Sequence, residues 1–396
     1  MKIKRAYKYR LYPTKEQETK MLWTLEMCRF VYNKLLEELN KGKKSKKELQ
    51  HSILKIKEEN PELLNAYAKV LQYENYRLFS SLRTLAKLKN NGKRVGRLRF
   101  KSKDRFRTFN YNQYGFEIIK NNTRYDKLWL SRIGEIPFIM HREIDGKIKQ
   151  VAVKRYPSGK WFASIITEVE GNKQKTNRIN SVGIDLGINN YIYDSNGTHF
   201  DSPKYLNKFI RKLKKEQTCF SRKTKDSRNR EKQKVRVAKI HEKIMNHRTD
   251  FLRKLSRHYV NNFGFIAVED LNIKNLIEVS YNSRNIMDAS WSRFVQMLEY
   301  KAESAGVQVM KVEPEETTQI CSNCRITVPK HLWNRTHKCT CGLEIDRDYN
   351  SAINILKRAL GQELSESTPV EREPLLAEMQ ASNLEETGSH ILNVKH

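Results

Sequence analysis

The sequence predicts an α/β fold around a mixed sheet in the second half of the chain, and two observations carry that expectation. Between residues 181 and 360, apolar runs short enough for strands alternate with segments of helical periodicity in the order β-hairpin, helices, β, α, β, α. With 396 residues, 38% hydrophobic side chains, 18 Tyr, 15 Phe and 5 Trp, the chain is also long and apolar enough to bury a sizeable core. Length suggests two or three domains.

Taken in order, residues 2–12 (KIKRAYKYRLY) alternate loosely between basic and apolar side chains and read as a strand that Pro13 ends. Thr14 followed by Gln17 has the spacing of a capping box, after which Met21, Leu22, Leu25, Cys28, Tyr32, Leu35, Leu36 and Leu39 recur at helical spacing. Residues 41–47 read as a basic, glycine-containing loop. Helical spacing resumes after Pro61 through Leu63, Leu64, Tyr67, Val70, Leu71, Leu78, Leu82 and Leu85, which makes an N-terminal helical region. From about residue 98 to 170 the pattern is short and strand-like, with a hairpin signal at Tyr156-Pro-Ser-Gly-Lys160. A polar linker (171–180) follows. Residues 181–197 then read as strand, glycine turn, strand and Asn-Gly turn, residues 204–257 as long helices, and 263–271 as a short buried strand. A helix at 291–305, a strand at 307–312, a cysteine-rich insert and a helix at 349–360 complete the series.

Charge sets the function classes. The 76 Lys and Arg against 45 Asp and Glu give a net charge of +31, and a folded chain this basic needs a polyanion. Residues 361–396 carry −5, so the preceding 360 carry +36. The acidic segment lacks periodicity and reads as a disordered appendage. Residues 204–257 hold 20 Lys and Arg, and residues 89–107 (KNNGKRVGRLRFKSKDRFR) hold nine. One such run could be a solvated helix face; two, in a chain basic throughout, favour phosphate contact. Phe100, Phe106, Phe109, Tyr111, Tyr114 and Phe116 interleave with the second run and could stack on unpaired bases, but their partial alternation assigns most of them to a core. With no run of 18 apolar residues and no apolar stretch in MKIKRAYKYRLYPT, neither a membrane nor a secreted protein is expected. In the reducing compartment this implies, six Cys do not form a disulfide framework.

Two acids stand in apolar strands. Asp185 lies within Val-Gly-Ile-Asp-Leu-Gly, and Glu269 directly follows Phe-Ile-Ala-Val. A carboxylate there requires hydrogen bonds, a countercharge or a metal. Asp346 and Asp348 precede the last helix, where an Asp also serves as an N-cap. Taken singly, each has an ordinary reading as a cap or a strand-end acid. Taken together, one carboxylate from each place could hold a pair of Mg²⁺ ions against a phosphodiester, activating a water and stabilising the departing 3′ oxygen.

Cys321-Ser-Asn-Cys324 and Cys339-Thr-Cys341, separated by 14 residues, form a two-knuckle pattern for one structural zinc. The second knuckle is CxC where CxxC is usual, which leaves His337 as an alternative ligand. Cys28 and Cys219 read as lone reduced thiols, and His331 as an ordinary loop residue.

Four ordered blocks resemble the TnpB family, insertion-sequence proteins related to type V CRISPR effectors: 182–190 (VGIDLGINN), 265–276 (FIAVEDLNIKNL), 291–306 with 312–324, and 341–356 (CGLEIDRDYNSAINIL). Residues 6–13 and 99–103 (RFKSK) are also similar, so only the acidic segment is uncovered. The resemblance implies a RuvC-type RNase H-like nuclease domain (181–315 and 343–360) with an inserted zinc ribbon (316–342). It also implies a β-barrel-like wedge domain (1–13 and 98–175) interrupted by a helical recognition region (14–97), with 361–396 as the tail. It maps Asp185, Glu269 and Asp348 onto the catalytic, Mg²⁺-binding acids, with Asp346 as the alternative to Asp348, and Cys321, Cys324, Cys339 and Cys341 onto the zinc site. The implied activity is RNA-guided cleavage of DNA beside a short target-adjacent motif, in a monomeric complex with guide RNA from the transposon end acting on double-stranded and unwound DNA, in a prokaryotic cytoplasm at the nucleoid. Arg99, Lys101, Lys103, Arg105 and Arg107 are the nucleic-acid contacts expected. Competing readings are a nuclease-silent RNA-guided regulator, a strand-transfer transposase and a zinc-ribbon DNA-binding protein whose acids are structural.

Overall fold

The computed structural model describes residues 2–42, 44–121, 123–170, 178–280, 282–331 and 333–364. The chain forms two compact units, residues 1–172 with 223–239, and residues 173–222 with 240–396.

In the first unit, β1 (Lys2–Leu11) leads into three helices, α1 (Lys15–Lys41), α2 (Lys46–Glu59) and α3 (Ala68–Asn90). Six strands follow: β2 (Thr108–Asn112), β3 (Phe116–Ile119), β4 (Asp126–Leu130), β5 (Gly134–Phe138), β6 (Lys147–Arg155) and β7 (Trp161–Glu170). They join β1 in an antiparallel sheet of order β2-β6-β7-β1-β5-β4-β3. Among the described residues, no pairing links the edge strands β2 and β3, so hydrogen bonding makes an open ladder where the resemblance implies a barrel-like domain.

Period-two patterning explains the sheet. Trp161, Ala163 and Ile165 of β7 alternate inward with Tyr7, Tyr9 and Leu11 of β1. The hairpin expected at 156–160 is present, with the Tyr156 amide donating 2.8 Å to the Lys160 carbonyl. Helix α1 starts at the expected capping box: Thr14 Oγ1 accepts from the Gln17 amide (3.2 Å), and Gln17 Oε1 from the Thr14 amide (3.0 Å). Helix α2 lies inside the helical region expected at 14–97, but the sequence pattern does not single it out. Only Leu49, Ile53 and Ile56 give it a buried stripe, although Ser45 and Glu48 form a second capping box at its start. Of the interleaved aromatics, Phe106, Phe109 and Tyr111 are core residues, whereas Phe100 and Tyr114 are exposed.

The second unit contains β8 (Ser181–Leu186), β9 (Asn190–Asp194), β10 (His199–Asp201), α4 (Tyr205–Ser221), most of α5 (Arg228–Asn262) and β11 (Phe265–Glu269). It continues through α6 (Ile273–Val279), α7 (Ser283–Ala289), α8 (Trp291–Ala305), β12 (Gln308–Val312), the β13 (Thr336–Lys338) and β14 (Glu344–Asp346) ribbon, and α9 (Arg347–Leu364). The sheet order is β10-β9-β8-β11-β12: antiparallel from β10 to β8, parallel from β8 through β12. This is the mixed sheet the sequence predicts. All five residues of β11 are buried, as a parallel strand covered on both faces requires.

Helix α9 lies against β8 so closely that a Cβ on Gly183 would fall 2.2 Å from the Ala352 carbonyl oxygen. Only glycine fits there. Helices α6 and α7 have seven residues each, too short to show periodicity in the sequence. Helix α9 runs to Leu364, four residues into the segment read as a tail; residues 365–396, and 171–177 of the linker, lie outside the described residues. No described helix is long and apolar enough to cross a membrane.

Candidate active site and zinc centre

Strands β8 and β11 run parallel with Ile184 opposite Val268, so the next residues, Asp185 and Glu269, stand side by side toward the carboxyl ends of neighbouring strands. In an α/β sheet that edge is where a site forms. Asp348 joins them from the first turn of α9, and all three acids are buried, at 8%, 8% and 6% exposure. Among the described residues, the donor cluster tight enough to hold a single metal ion is formed by four cysteines and does not include these acids.

Each acid has a different partner. Ser351 Oγ donates to Asp185 Oδ1 at 3.3 Å, and Thr317 Oγ1 donates to Glu269 Oε1 at 2.6 Å. Arg347 reaches Asp348 Oδ1 at 3.1 Å, and Arg335 reaches Oδ2 at 3.4 Å. Burial, reinforced by the charges of Glu269 and Asp348, pushes the Asp185 carboxyl well above its ordinary range. Burial also raises Glu269, against the hydrogen bond from Thr317 and the charge of Arg358. Two crowded, desolvated carboxylates with hard oxygen donors are the kind of set a divalent cation such as Mg²⁺ relieves.

Asp346 does something else. Its Oδ1 accepts from the amides of Asp348 (2.7 Å) and Tyr349 (3.3 Å), which makes it the cap of α9. The neighbouring acids thus divide, one closing the helix end and the other facing Asp185.

The four cysteines converge without help from His337. Their sulfurs all lie within 4.8 Å, with Cys321 to Cys341 at 3.7 Å and Cys324 to Cys339 at 3.4 Å. The edge of a tetrahedron with Zn–S bonds of about 2.3 Å is about 3.8 Å, so the set fits Zn²⁺. Gly342, at φ +87°, closes the short CxC knuckle through its amide to the Cys339 carbonyl (3.0 Å). A backbone amide from Leu343 holds the exposed Cys341 thiol down to about 6. His337 is buried in β13 with Nδ1 against Lys330 Nζ.

Among the basic residues singled out, Arg99, Lys103 and Arg105 are exposed, whereas Lys101 and Arg107 are half-buried. The Lys101 backbone is clamped by Asn33 and Arg29, and Arg107 Nε donates to the Asp104 carbonyl at 2.6 Å. Thr317, Ser351, Arg335, Arg347, Asn350 and Asn354 were missed by the sequence reading. Asn350 and Asn354 tie α9 to the stem of the ribbon through the carbonyl of Ile320 (2.8 and 2.7 Å). Their signal was available as a polar i, i+4 pair on the inner side of an apolar helix.

Three family models match this chain: OrfB_IS605, described as "Probable transposase", over residues 164–280; "Cas12f1-like, TNB domain" over 291–355; and "Helix-turn-helix domain" over 1–47, where the structure has a strand and one long helix. A protein of Streptomyces pristinaespiralis named "Putative RNA-guided DNA endonuclease" is 30% identical over 374 residues, 90% of either chain. One of Escherichia coli (strain K12), "Putative RNA-guided DNA endonuclease InsQ", is 30% identical over 407 residues, covering 94% of this chain and 98% of its own. The fold is similar to that of Cas12f1 in a cryo-EM complex with sgRNA and target DNA, at TM-score 0.52 and 14% identity over 89% of this chain and 98% of that one. The acids at the sheet edge, the cysteine ribbon before the last helix and near full-length kinship agree, and the chain belongs to the TnpB family of RNA-guided DNA endonucleases.

Proposed function

We propose that this chain, carrying a guide RNA from its transposon end, cuts DNA beside a short target-adjacent motif at the Asp185, Glu269 and Asp348 site. The observation that carries the reading is the placement of Asp185 and Glu269 side by side on neighbouring parallel strands, with the Asp185 carboxyl raised by burial and by the charges of Glu269 and Asp348. Base pairing with the guide would supply sequence recognition, and the +31 chain a channel for phosphates. The RNase H-like, wedge, recognition and ribbon domains are assigned to the boundaries given above.

The three acids would hold two Mg²⁺ ions, which when bound supply a nucleophilic water and charge stabilisation for an in-line displacement. The remaining roles belong to the protein. Ser351 and Thr317 orient the carboxylates of Asp185 and Glu269, and burial excludes bulk water from them. Arg335, half-exposed beside Asp348, is placed to meet a phosphate oxygen. Zinc at the four cysteines would fix the ribbon that carries Arg335.

The test is to purify the protein, sequence the RNA that accompanies it, and measure Mg²⁺-dependent cleavage of matching DNA by wild type and Asp185→Ala. Absence of bound RNA, or equal cutting by the variant, would overturn the reading. Joining of donor ends without a guide would instead identify a transposase.

A further inference from the structure

The first unit contains a cavity of about 640 Å³, within the size range of small-ligand pockets. Its wall combines two chemistries. Leu22, Trp23 and Pro157 are apolar, with Leu22 exposed although large. Five cations also line it, and most are already engaged. Arg29 pairs with Glu26, Lys234 binds Asp104 at 3.0 Å and Glu231 at 3.4 Å, and Arg107 spends its Nε on a backbone carbonyl.

Arg155 and Lys103 are less committed, although the charge of Lys103 also acts on Glu26 and Asp104. Arg155 Nε is buried and meets no hydrogen-bond acceptor among the described residues, and Lys103 forms no ion pair there. A buried guanidinium nitrogen without a partner costs free energy unless something outside the protein satisfies it. Five cations against the three acids Glu26, Asp104 and Glu231 leave the lining net positive, which matches the charge of a phosphate, and the Trp23 indole matches the face of a base.

From this juxtaposition we propose that the cavity takes one unpaired nucleotide of a bound polynucleotide, its base against Trp23 and its phosphate against Lys103 and Arg155. The inference rests on the reading of the chain as a nucleic-acid enzyme and adds a subsite far in sequence from the three acids. Guide RNA and single-stranded target DNA share the required chemistry.

The test uses the full-length protein and two probes, a labelled 20-mer RNA and a 20-mer single-stranded DNA, titrated over a range of salt concentrations. Trp23→Leu weakens binding by roughly 5- to 150-fold, the worth of one base stack, and Trp23→Phe restores most of it. Lys103→Gln with Arg155→Gln lowers the slope of log affinity against log salt by roughly 1, whereas Lys47→Gln, exposed at the start of α2, leaves the slope as it is. Loss confined to the RNA probe identifies a guide nucleotide, and loss confined to DNA a target nucleotide. Unchanged binding of both probes by both pocket variants overturns the proposal. Thermal melting separates binding loss from unfolding: if Trp23→Leu melts early, the Phe variant and the double glutamine variant decide. Failure here with Asp185→Ala still inactive leaves the nuclease reading intact.

Discussion

Adding one methyl group at Gly183 should damage both stability and cleavage. A Cβ there falls 2.2 Å from the Ala352 carbonyl oxygen and 2.8 Å from Leu356 N and Cβ, all on α9, whereas ordinary contact begins near 3.4 Å. The helix must therefore retreat from β8 by about 1 Å, the difference between those distances. Overpacking of this kind costs roughly 1–3 kcal/mol. In a domain of about 200 residues each kcal/mol lowers the melting temperature by about 2–4 °C. Asp348 rides on the moved helix while Asp185 stays on the strand, and a 1 Å misplacement of reacting groups costs about 10²-fold in rate. The assay pairs thermal melting with Mg²⁺-dependent cleavage of guide-matched DNA, with Gly96→Ala as control because its Cβ meets nothing within 4 Å. If Gly183→Ala melts and cuts like wild type, the spacing of the acids is not set by this contact and the reasoning fails.

Asp348→Asn should abolish cleavage while Asp346→Asn preserves it, since Asn caps a helix as well as Asp does; equal loss in both, read by plasmid cutting, contradicts the division of roles. Metal analysis should find one zinc per chain, retained in His337→Gln and weakened in Cys341→Ser by at least about tenfold, as loss of one of four ligands requires; full retention by the serine variant argues against the CxC knuckle. Burial raises Glu74 to about 8, only partly offset by Arg77, so the folded state binds its proton more tightly than the unfolded chain. That stabilisation is complete below about 4.5 and is lost as pH rises to about 8, at up to about 1.4 kcal/mol per pH unit. Urea unfolding at pH 5, 6.5 and 8 should show Glu74→Gln gaining on wild type with pH, and parallel curves would refute the assignment.

Legibility followed periodicity. Strand β1, helix α1 with its cap, the β6–β7 hairpin and the β8–β9 pair were readable because each has a repeating pattern and a turn or capping signal at its boundary. Helix α2 escaped because three buried apolar residues in fourteen make too thin a stripe, and α6 and α7 because seven residues hold barely two turns. At the candidate site, Asp185 and Glu269 stand out in the sequence because a charge inside an apolar strand is anomalous. Thr317 and Ser351 could not, since hydroxyls occur everywhere and only the packing of α9 on β8 brings Ser351 to Asp185. Telling Asp346 as the cap of α9 from Asp348 as the candidate site acid needed a backbone, because two Asp two residues apart are alike in sequence.

The segment Asp346–Asn354 explains why that choice mattered. Asp346 closes the helix start, and Asp348, one residue past the first helical position, lies close enough for its charge to raise the Asp185 carboxyl. Asn350 also accepts from the Ser322 amide at 2.9 Å, in the turn between Cys321 and Cys324. Ser351 holds Asp185, and Asn354 binds the carbonyls of Thr317 and Ile320. Because Thr317 in turn donates to Glu269, one helical face sets the positions of all three acids and anchors the first cysteine knuckle. Geometry at the carboxylates is therefore mechanically linked to geometry at the cysteines: the turn that zinc would fix contains the amide that locates Asn350, which directly precedes Ser351, the residue that holds Asp185. The proposed nuclease site, built on this helix, cannot be separated from its ribbon without losing the hydrogen bonds that keep its acids in register.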